Sequence, residues 1–343
     1  MEKTRKRRGT GRVTLQEVAN FAGVGTMTVS RALRTPEQVS DKLREKIEQA
    51  VEELGYIPNR TAGALASGHS DTVAVLVPSL TDKASSRFMQ SLQQVLNKNE
   101  FQLLLGCHEY NQLKEAEILM TLLQGNPAAL VIFSSQLADK THQILEKTNI
   151  PTINVVGSPF SPAQITIETA FFEASHKLTE HLLEQGYKNI GFIGAHMDNR
   201  LQRQQLNGWH KAMLSHYQNS DLVITMPDAA SLQLGRYALN EILLRQPELD
   251  AVICSHEEIA LGIMFECQRR LLKIPENIAV ACLDGSDNCD QTHPTLTSIR
   301  IDYKKMGIET GKLLIGLLNN NHDESEESRI VQFNYQIELR QST

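Results

Sequence analysis

Thr26, Met27 and Arg31 follow a short GVG turn, and their chemistries are a hydroxyl, a flexible apolar chain and a guanidinium. These are groups that read base edges in a DNA major groove, the methionine against a thymine methyl and the arginine bidentate to guanine. Thr14, Thr28, Ser30, Asn59 and Arg60 suit phosphate oxygens, which fix register without reading sequence. A second group of polar residues lies in the loops PSLTDKASSR (78–87), AHMDNRLQRQ (195–204), SHEEIA (255–260) and DGSDNCD (284–290). A small sugar or sugar acid needs fixed donors and acceptors, and a carboxylate invites an arginine fork. Arg87, Arg200 and Arg203 are the candidates for a carboxylate, and Ser79, Glu257 and Asp284 for hydroxyls. Taken singly, each is also an ordinary solvated loop group.

Catalytic arrangements are harder to find. His108-Glu109 and His256-Glu257 do not extend to a zinc-protease H-E-x-x-H, because Gln112 and Ala260 stand at the fourth position. Gly307 to Gly311-Lys312 imitates a phosphate-binding loop, but with the wrong spacing and with Leu313 where Ser or Thr is needed. Asp284, Asp287 and Asp290 are three apart, unlike a calcium loop. His176 and His181 are five apart and read as surface groups. The five cysteines, an odd number without a C-x-x-C pair, argue against a zinc site or a disulfide framework. No catalytic residue, metal or cofactor is expected, and the free thiols point to reducing cytoplasm.

Charge is divided unevenly. Residues 1–60 hold twelve Lys/Arg and eight Asp/Glu, a net +4, which leaves −10 for the remainder of a chain whose net charge is −6. A basic head on an acidic body suits a head that meets a polyanion. No apolar run approaches the roughly 20 residues that span a bilayer, and no apolar segment of a secretory signal follows the basic start.

Three short helices must position the first group. Thr14 with Glu17 forms a capping box before LQEVANFA, Gly23 ends that helix, and TMTVSRAL is stopped at Thr35-Pro36. Ser40 can cap a third helix at about 41–54, where Leu43, Ile47, Val51 and Leu54 share one face. The small apolar residues Val18, Ala19, Ala22, Val24 and Val29 suit a close crossing of two helices. A helical trio could equally be a bundle without a ligand. Residues 56–68, YIPNRTAGALASG, add a segment too short to be a stable helix alone, weakened further by Gly63. It reads either as a conditional helix that offers Ala62 and Leu65 to DNA, Leu65 wedging between base steps in the minor groove, or as a plain linker.

The second group needs a different frame. Apolar runs at 72–78, 101–107, 129–135, 152–156, 189–194, 222–226, 251–255 and 278–283 alternate with helical stretches. That is the pattern of parallel sheets covered on both faces, and the count suits two open α/β sheets. Such sheets bind ligands at the carboxyl ends of their strands, where the four loops lie. Residues 319–328 read as an exposed loop and 329–340 as a final edge strand.

VTLQEVANFAGVGTMTVSRAL, with VSDKLREKIEQAVEELGYIPNR, closely resembles the lactose-repressor family, and IPENIAVACLDGSD and HPTLTSIRIDYKKMG extend the likeness through the body. Met27, PEQVS at 36–40 and FECQR at 265–269 look most like the gluconate-repressor branch. The resemblance implies a DNA-binding repressor acting on a palindromic operator as a homodimer or a dimer of dimers. It implies a body like a periplasmic sugar-binding protein that senses a sugar or sugar acid, and Leu65 as the minor-groove lever. The expected plan is a basic tail (1–12), a helix-turn-helix head (13–58), a hinge helix and linker (59–70) and an effector and dimerisation domain (71–343). The two subdomains of that domain are expected at 71–165 plus 297–325 and at 166–293 plus 328–340.

Asp284 matches the family's acid at a strand end. Other positions depart from the family pattern. Gln205 stands where an arginine is usual, His256-Glu257 replaces Asn-Asp, Ala170-Phe171 replaces Asp-Asn, and Ser85 replaces an aromatic. Gln205 and His256 therefore join the effector candidates, and the pattern suggests DNA binding retained with an altered or weakened effector response. A sugar-binding protein without regulation is the other reading, though it would have no need of the head.

Overall fold

The computed structural model describes residues 13–58, 70–157, 163, 165–196, 199–319 and 329–343. The chain divides into two compact units, residues 1–70 and 71–343. Asn59, Arg60, Ala62 and Leu65, with the proposed hinge and the basic tail, lie outside the described residues.

The first unit contains α1 (Leu15–Ala22), α2 (Thr26–Arg34) and α3 (Asp41–Leu54), with a 3-10 turn at Pro36–Gln38. Thr14 and Glu17 form the capping box in full: Glu17 N–H donates to Thr14 Oγ1 at 3.3 Å, and Thr14 N–H donates to Glu17 Oε2 at 2.7 Å. The Thr14 N–H and hydroxyl, both donating to it, hold the Glu17 carboxyl below its usual range. Gly23 and Gly55 end α1 and α3 with φ of 62° and 63°, a left-handed turn that glycine takes without a Cβ penalty. Ser40 stands at the start of α3, but its side chain makes no capping bond. Val18, Ala19, Ala22, Val29, Ala32, Ile47 and Ala50 form the core. Small residues dominate it, so the three helices cross closely.

The second unit holds two six-stranded sheets. The first orders its strands β11-β5-β4-β3-β1-β2, from β1 (Thr72–Val77), β2 (Gln102–Cys107), β3 (Ala129–Phe133), β4 (Thr152–Val155), β5 (Ile165–Thr169) and β11 (Arg329–Phe333). The second orders them β12-β10-β9-β8-β6-β7, from β6 (Ile190–Gly194), β7 (Val223–Thr225), β8 (Ala251–Cys254), β9 (Ala279–Cys282), β10 (Thr297–Ile301) and β12 (Tyr335–Glu338). Every pairing is parallel except β10 with β12. The central strands are apolar and buried along their length, as helices on both faces require. The helices are α4 (Lys83–Lys98), α5 (Gln112–Gln124), α6 (Asp139–Leu145), α7 (Phe171–Glu184), α8 (Arg200–Ser215), α9 (Leu232–Arg245), α10 (Glu257–Arg269) and α11 (Tyr303–Leu318).

The subdomain boundaries differ from expectation. β10 pairs with β9 and belongs to the second sheet, not to the first. All of β5 belongs to the first sheet, including residues expected in the second subdomain. The segment 329–340 is not one edge strand: β11 edges the first sheet and β12 the second, separated only by Asn334. The chain therefore passes between subdomains at 169–171, 301–303 and 333–335. β10 escapes an apolar-run criterion because Thr297 and Ser298 are polar yet fully buried. Their hydroxyls are paired, Thr297 with Thr343 at 2.8 Å and Ser298 with Arg340 at 2.8 Å, which removes most of the cost of burying them.

Gly307 and Gly311 are helix-packing residues, with no part in a phosphate loop. A Cβ on Gly307 would lie 2.3 Å from Ser91 Oγ and 2.4 Å from the Phe88 carbonyl, so α11 rests directly on α4. The four cysteines of the second subdomain, Cys254, Cys267, Cys282 and Cys289, are buried free thiols in its core.

Candidate effector cleft and DNA-reading face

Thr26 opens α2 and Met27 follows it, 74% exposed. A methionine left in water at a helix start forgoes about 1.5–3 kcal/mol of burial, which favours a binding surface over packing. Arg31 is exposed one turn on, and Thr28 and Ser30 are partly exposed beside it. The structure thus gathers these five residues on one helix. Thr14 is exposed at the start of α1, but its hydroxyl already donates to Glu17 at 2.9 Å.

A cavity of about 440 Å³ opens between the two sheets of the second unit, at the carboxyl ends of their strands. That size suits a small organic ligand. Side chains meet across it. Lys83, at the start of α4, binds Glu257 at 2.7 Å and Glu258 at 2.9 Å, both at the start of α10. Arg87 reaches Asp287 at 3.3 Å, Ser135 bonds Asn199, and Arg203 donates to Gln136 at 2.7 Å. Tyr110 donates to Asp82 and stacks on the His196 ring, centroids 4.3 Å apart.

Of the residues expected at an effector site, Arg87, Gln205, His256 and Asp284 line the cavity. Ser79, Arg200, Arg203 and Glu257 do not. The Ser79 hydroxyl pairs with Thr81 at 2.9 Å and accepts the Thr81 N–H, so it serves its own turn. Arg203 is held at the rim by Gln136. Glu257, 1% exposed, sits behind the wall and accepts from the Ser286 N–H at 2.7 Å and the Asn288 amide at 2.9 Å as well as from Lys83. Burial works to raise its pKa, but these bonds outweigh it and hold the carboxyl below its usual range. Of the positions expected to depart from the family pattern, Ser85, Phe171, Gln205 and His256 line the cavity, and Ala170 and Glu257 do not.

The structure adds Asp82, Lys83, Tyr110, His196, Gln202, Glu258 and Tyr303 to the wall. All but Tyr110 and Tyr303 lie in the four loops singled out by sequence. Charge is the shared signal for several of them, but a loop charge gives no direction from sequence alone.

The electrostatics are unusual for so polar a space. Asp284 is pushed up to about 7 by burial and by Glu258, Glu257 and Asp82, with Lys83 offsetting only part. His256 is pushed down to about 4 by burial and by His196. Burial likewise lowers His108 and His196. Burial first, then the acids Asp82 and Asp284, drive the Tyr110 and Tyr303 hydroxyls well above the usual phenol range. Several enclosed atoms of the wall residues have no hydrogen-bond partner: Ser85 Oγ, Gln202 Oε1, Gln205 Oε1 and both His108 ring nitrogens, of which Nε2 lies 3.7 Å from Glu115. Buried polar atoms left so cost about 1–3 kcal/mol each. Among the described residues no group of three or more His, Cys, Asp or Glu side chains is placed to hold a metal ion, and no helix is long and apolar enough to cross a membrane.

Comparison with known proteins bears on both units of the chain. Residues 14–59 match the model of bacterial regulatory proteins of the lacI family, and residues 179–343 match a periplasmic binding protein-like domain. The HTH-type transcriptional regulator GntR of Escherichia coli K12 is 33% identical over 299 residues, which cover 86% of this chain and 89% of that one. The crystal structure of a PurR family transcriptional regulator from Vibrio parahaemolyticus is 40% identical, with a TM-score of 0.73 over 79% of this chain and 98% of that one. A LacI family regulator from Silicibacter pomeroyi is 26% identical, with a TM-score of 0.87 over 96% and 99% of the two chains.

Proposed function

The chain belongs to the lacI family of bacterial regulatory proteins, and from that premise we propose that it is a repressor whose hold on a palindromic operator is set by a small polyhydroxylated ligand in the cleft. Thr26, Met27 and Arg31 read base edges, and Thr28 and Ser30 contact phosphate, with Thr14, Asn59 and Arg60 flanking them. Ala62 and Leu65 complete the contact in the minor groove. Arg87, Gln205, His256 and Asp284, with Asp82, Gln202 and Ser85, bind the ligand. The protein acts as a cytoplasmic homodimer, for which the exposed apolar side chains Leu113, Met120, Phe265 and Leu271 offer surface.

The single observation that carries the ligand site is a cavity of about 440 Å³ between the two sheets, lined by the polar atoms of carboxylates, carboxamides, hydroxyls and imidazoles and bridged by ion pairs. A ligand that satisfies those atoms has differential affinity for one arrangement of the subdomains. That coupling is what an effector needs to shift operator binding. Genome-wide mapping of bound DNA tests the regulatory reading. It should return a short palindrome beside sugar-catabolic genes, and binding without any shared sequence would overturn the proposal.

A further inference from the structure

The cations of the cleft are already committed to acids. Among the described residues its wall carries two, Lys83 and Arg87. The Lys83 ammonium is held between Glu257 and Glu258, and Arg87 faces Asp287, which also takes Arg300 at 2.6 Å. Arg200 and Arg203, offered by sequence for a ligand carboxylate, are absent from the wall. Against two paired cations stand Asp82, Glu115, Glu258 and Asp284 on the wall and Glu257 behind it. The three wall histidines add no positive charge near neutrality, since burial lowers each of them.

A bound carboxylate or phosphate would enter a field of acids with no cation free to meet it, and in a partly desolvated space that repulsion is poorly screened. Hydroxyl groups face no such penalty. They donate to the wall carboxylates Asp82, Glu258 and Asp284 and pair either way with its hydroxyl, carboxamide and neutral imidazole side chains.

We propose that the cleft takes a polyhydroxylated ligand bearing no negative charge, a neutral or amino sugar, and discriminates against the sugar acid of the same skeleton. This rests on reading the cleft as the effector site. Kinship with gluconate-type regulators is untouched by it. What changes is the ligand charge this wall admits.

The test is calorimetric titration of the full-length protein at pH 7.5 with matched sets: glucose, glucosamine and gluconate; galactose, galactosamine and galactonate; xylose and xylonate. At least one neutral or amino member should bind at least tenfold tighter than its acid, and which of the two binds identifies the source. An acid that binds tighter than its neutral partner overturns the proposal, as does silence from every set by a preparation that still binds operator. Loss of specific operator binding by folded protein sinks the regulatory reading and leaves charge selectivity to be judged by the titrations. A second readout uses Asp284→Asn, nearly isosteric, which should narrow the acid-to-sugar gap at least threefold. An unchanged ratio in a folded variant removes Asp284 as the excluding group.

Discussion

Asp284 concentrates the charge imbalance of the cleft in one titration. Its folded pKa is about 7, whereas an unfolded aspartate titrates near 3.9. Between those values the folded protein keeps a proton that the unfolded chain has lost. Its contribution is therefore full below about pH 4 and declines as pH rises through 7. Asp284→Asn should raise the melting temperature of the body at pH 8 by several degrees and at pH 5 by much less. Calorimetric scans at the two values check this, and an equal shift at both contradicts it. Met27 is a different case, exposed and unneeded by the head's core. Met27→Ala should weaken the preferred operator about tenfold, roughly 1.4 kcal/mol, with the melting of the head unchanged. Competition between operator variants measures it, and unchanged preference removes Met27 as a reader. Residues such as Met27 and Asp284 were legible in sequence because helix position or strand end fixes where they point. Lys83, Tyr110 and Tyr303 were not, since their place on the wall depends on partners 100 or more residues away in the case of Lys83 with Glu257, or on which strand end closes the cavity.

The three helices of the head and most strands followed from periodicity, caps and apolar runs. The capping box at Thr14 and the glycine stops at 23 and 55 are local chemistry, complete within four residues. β10 was missed because its buried hydroxyls pair with Arg340 and Thr343 at the far end of the chain, a contact no window of sequence contains. Gly307 shows tertiary packing reversing a local preference. In an exposed helix Gly→Ala gains up to about 1 kcal/mol. Here the new Cβ meets Ser91 and the Phe88 backbone, so Gly307→Ala should instead cost about 1–3 kcal/mol. At about 2–4 °C per kcal/mol for a domain of this size, thermal unfolding would resolve it, and an unchanged or raised melting temperature would count against direct contact of α11 with α4.

The body is two subdomains joined by three passes of the chain and bridged across the cleft by Lys83, Arg87, Arg203 and the Tyr110–His196 stack. Bridges made of charge and hydrogen bonds are separable, as a ligand-controlled cleft requires. Lys83→Met would leave the buried Glu257 without its cation, and such broken pairs are strongly destabilising. The body should unfold at lower temperature at pH 7.5, with partial recovery at pH 5 as Glu257 protonates. Loss of stability independent of pH would contradict that account. The basic head, set against an acidic remainder, predicts operator affinity that falls steeply with salt, because phosphate contacts release counterions. Occupancy of the cleft is proposed to govern the hold on DNA. Fluorescence anisotropy of a labelled operator, with and without a saturating concentration of the sugar that binds in calorimetry, tests it most directly. The predicted result is at least a tenfold change in operator Kd that Asp284→Asn or Gln205→Leu diminishes. The same Kd in both conditions, with the ligand bound, would contradict it.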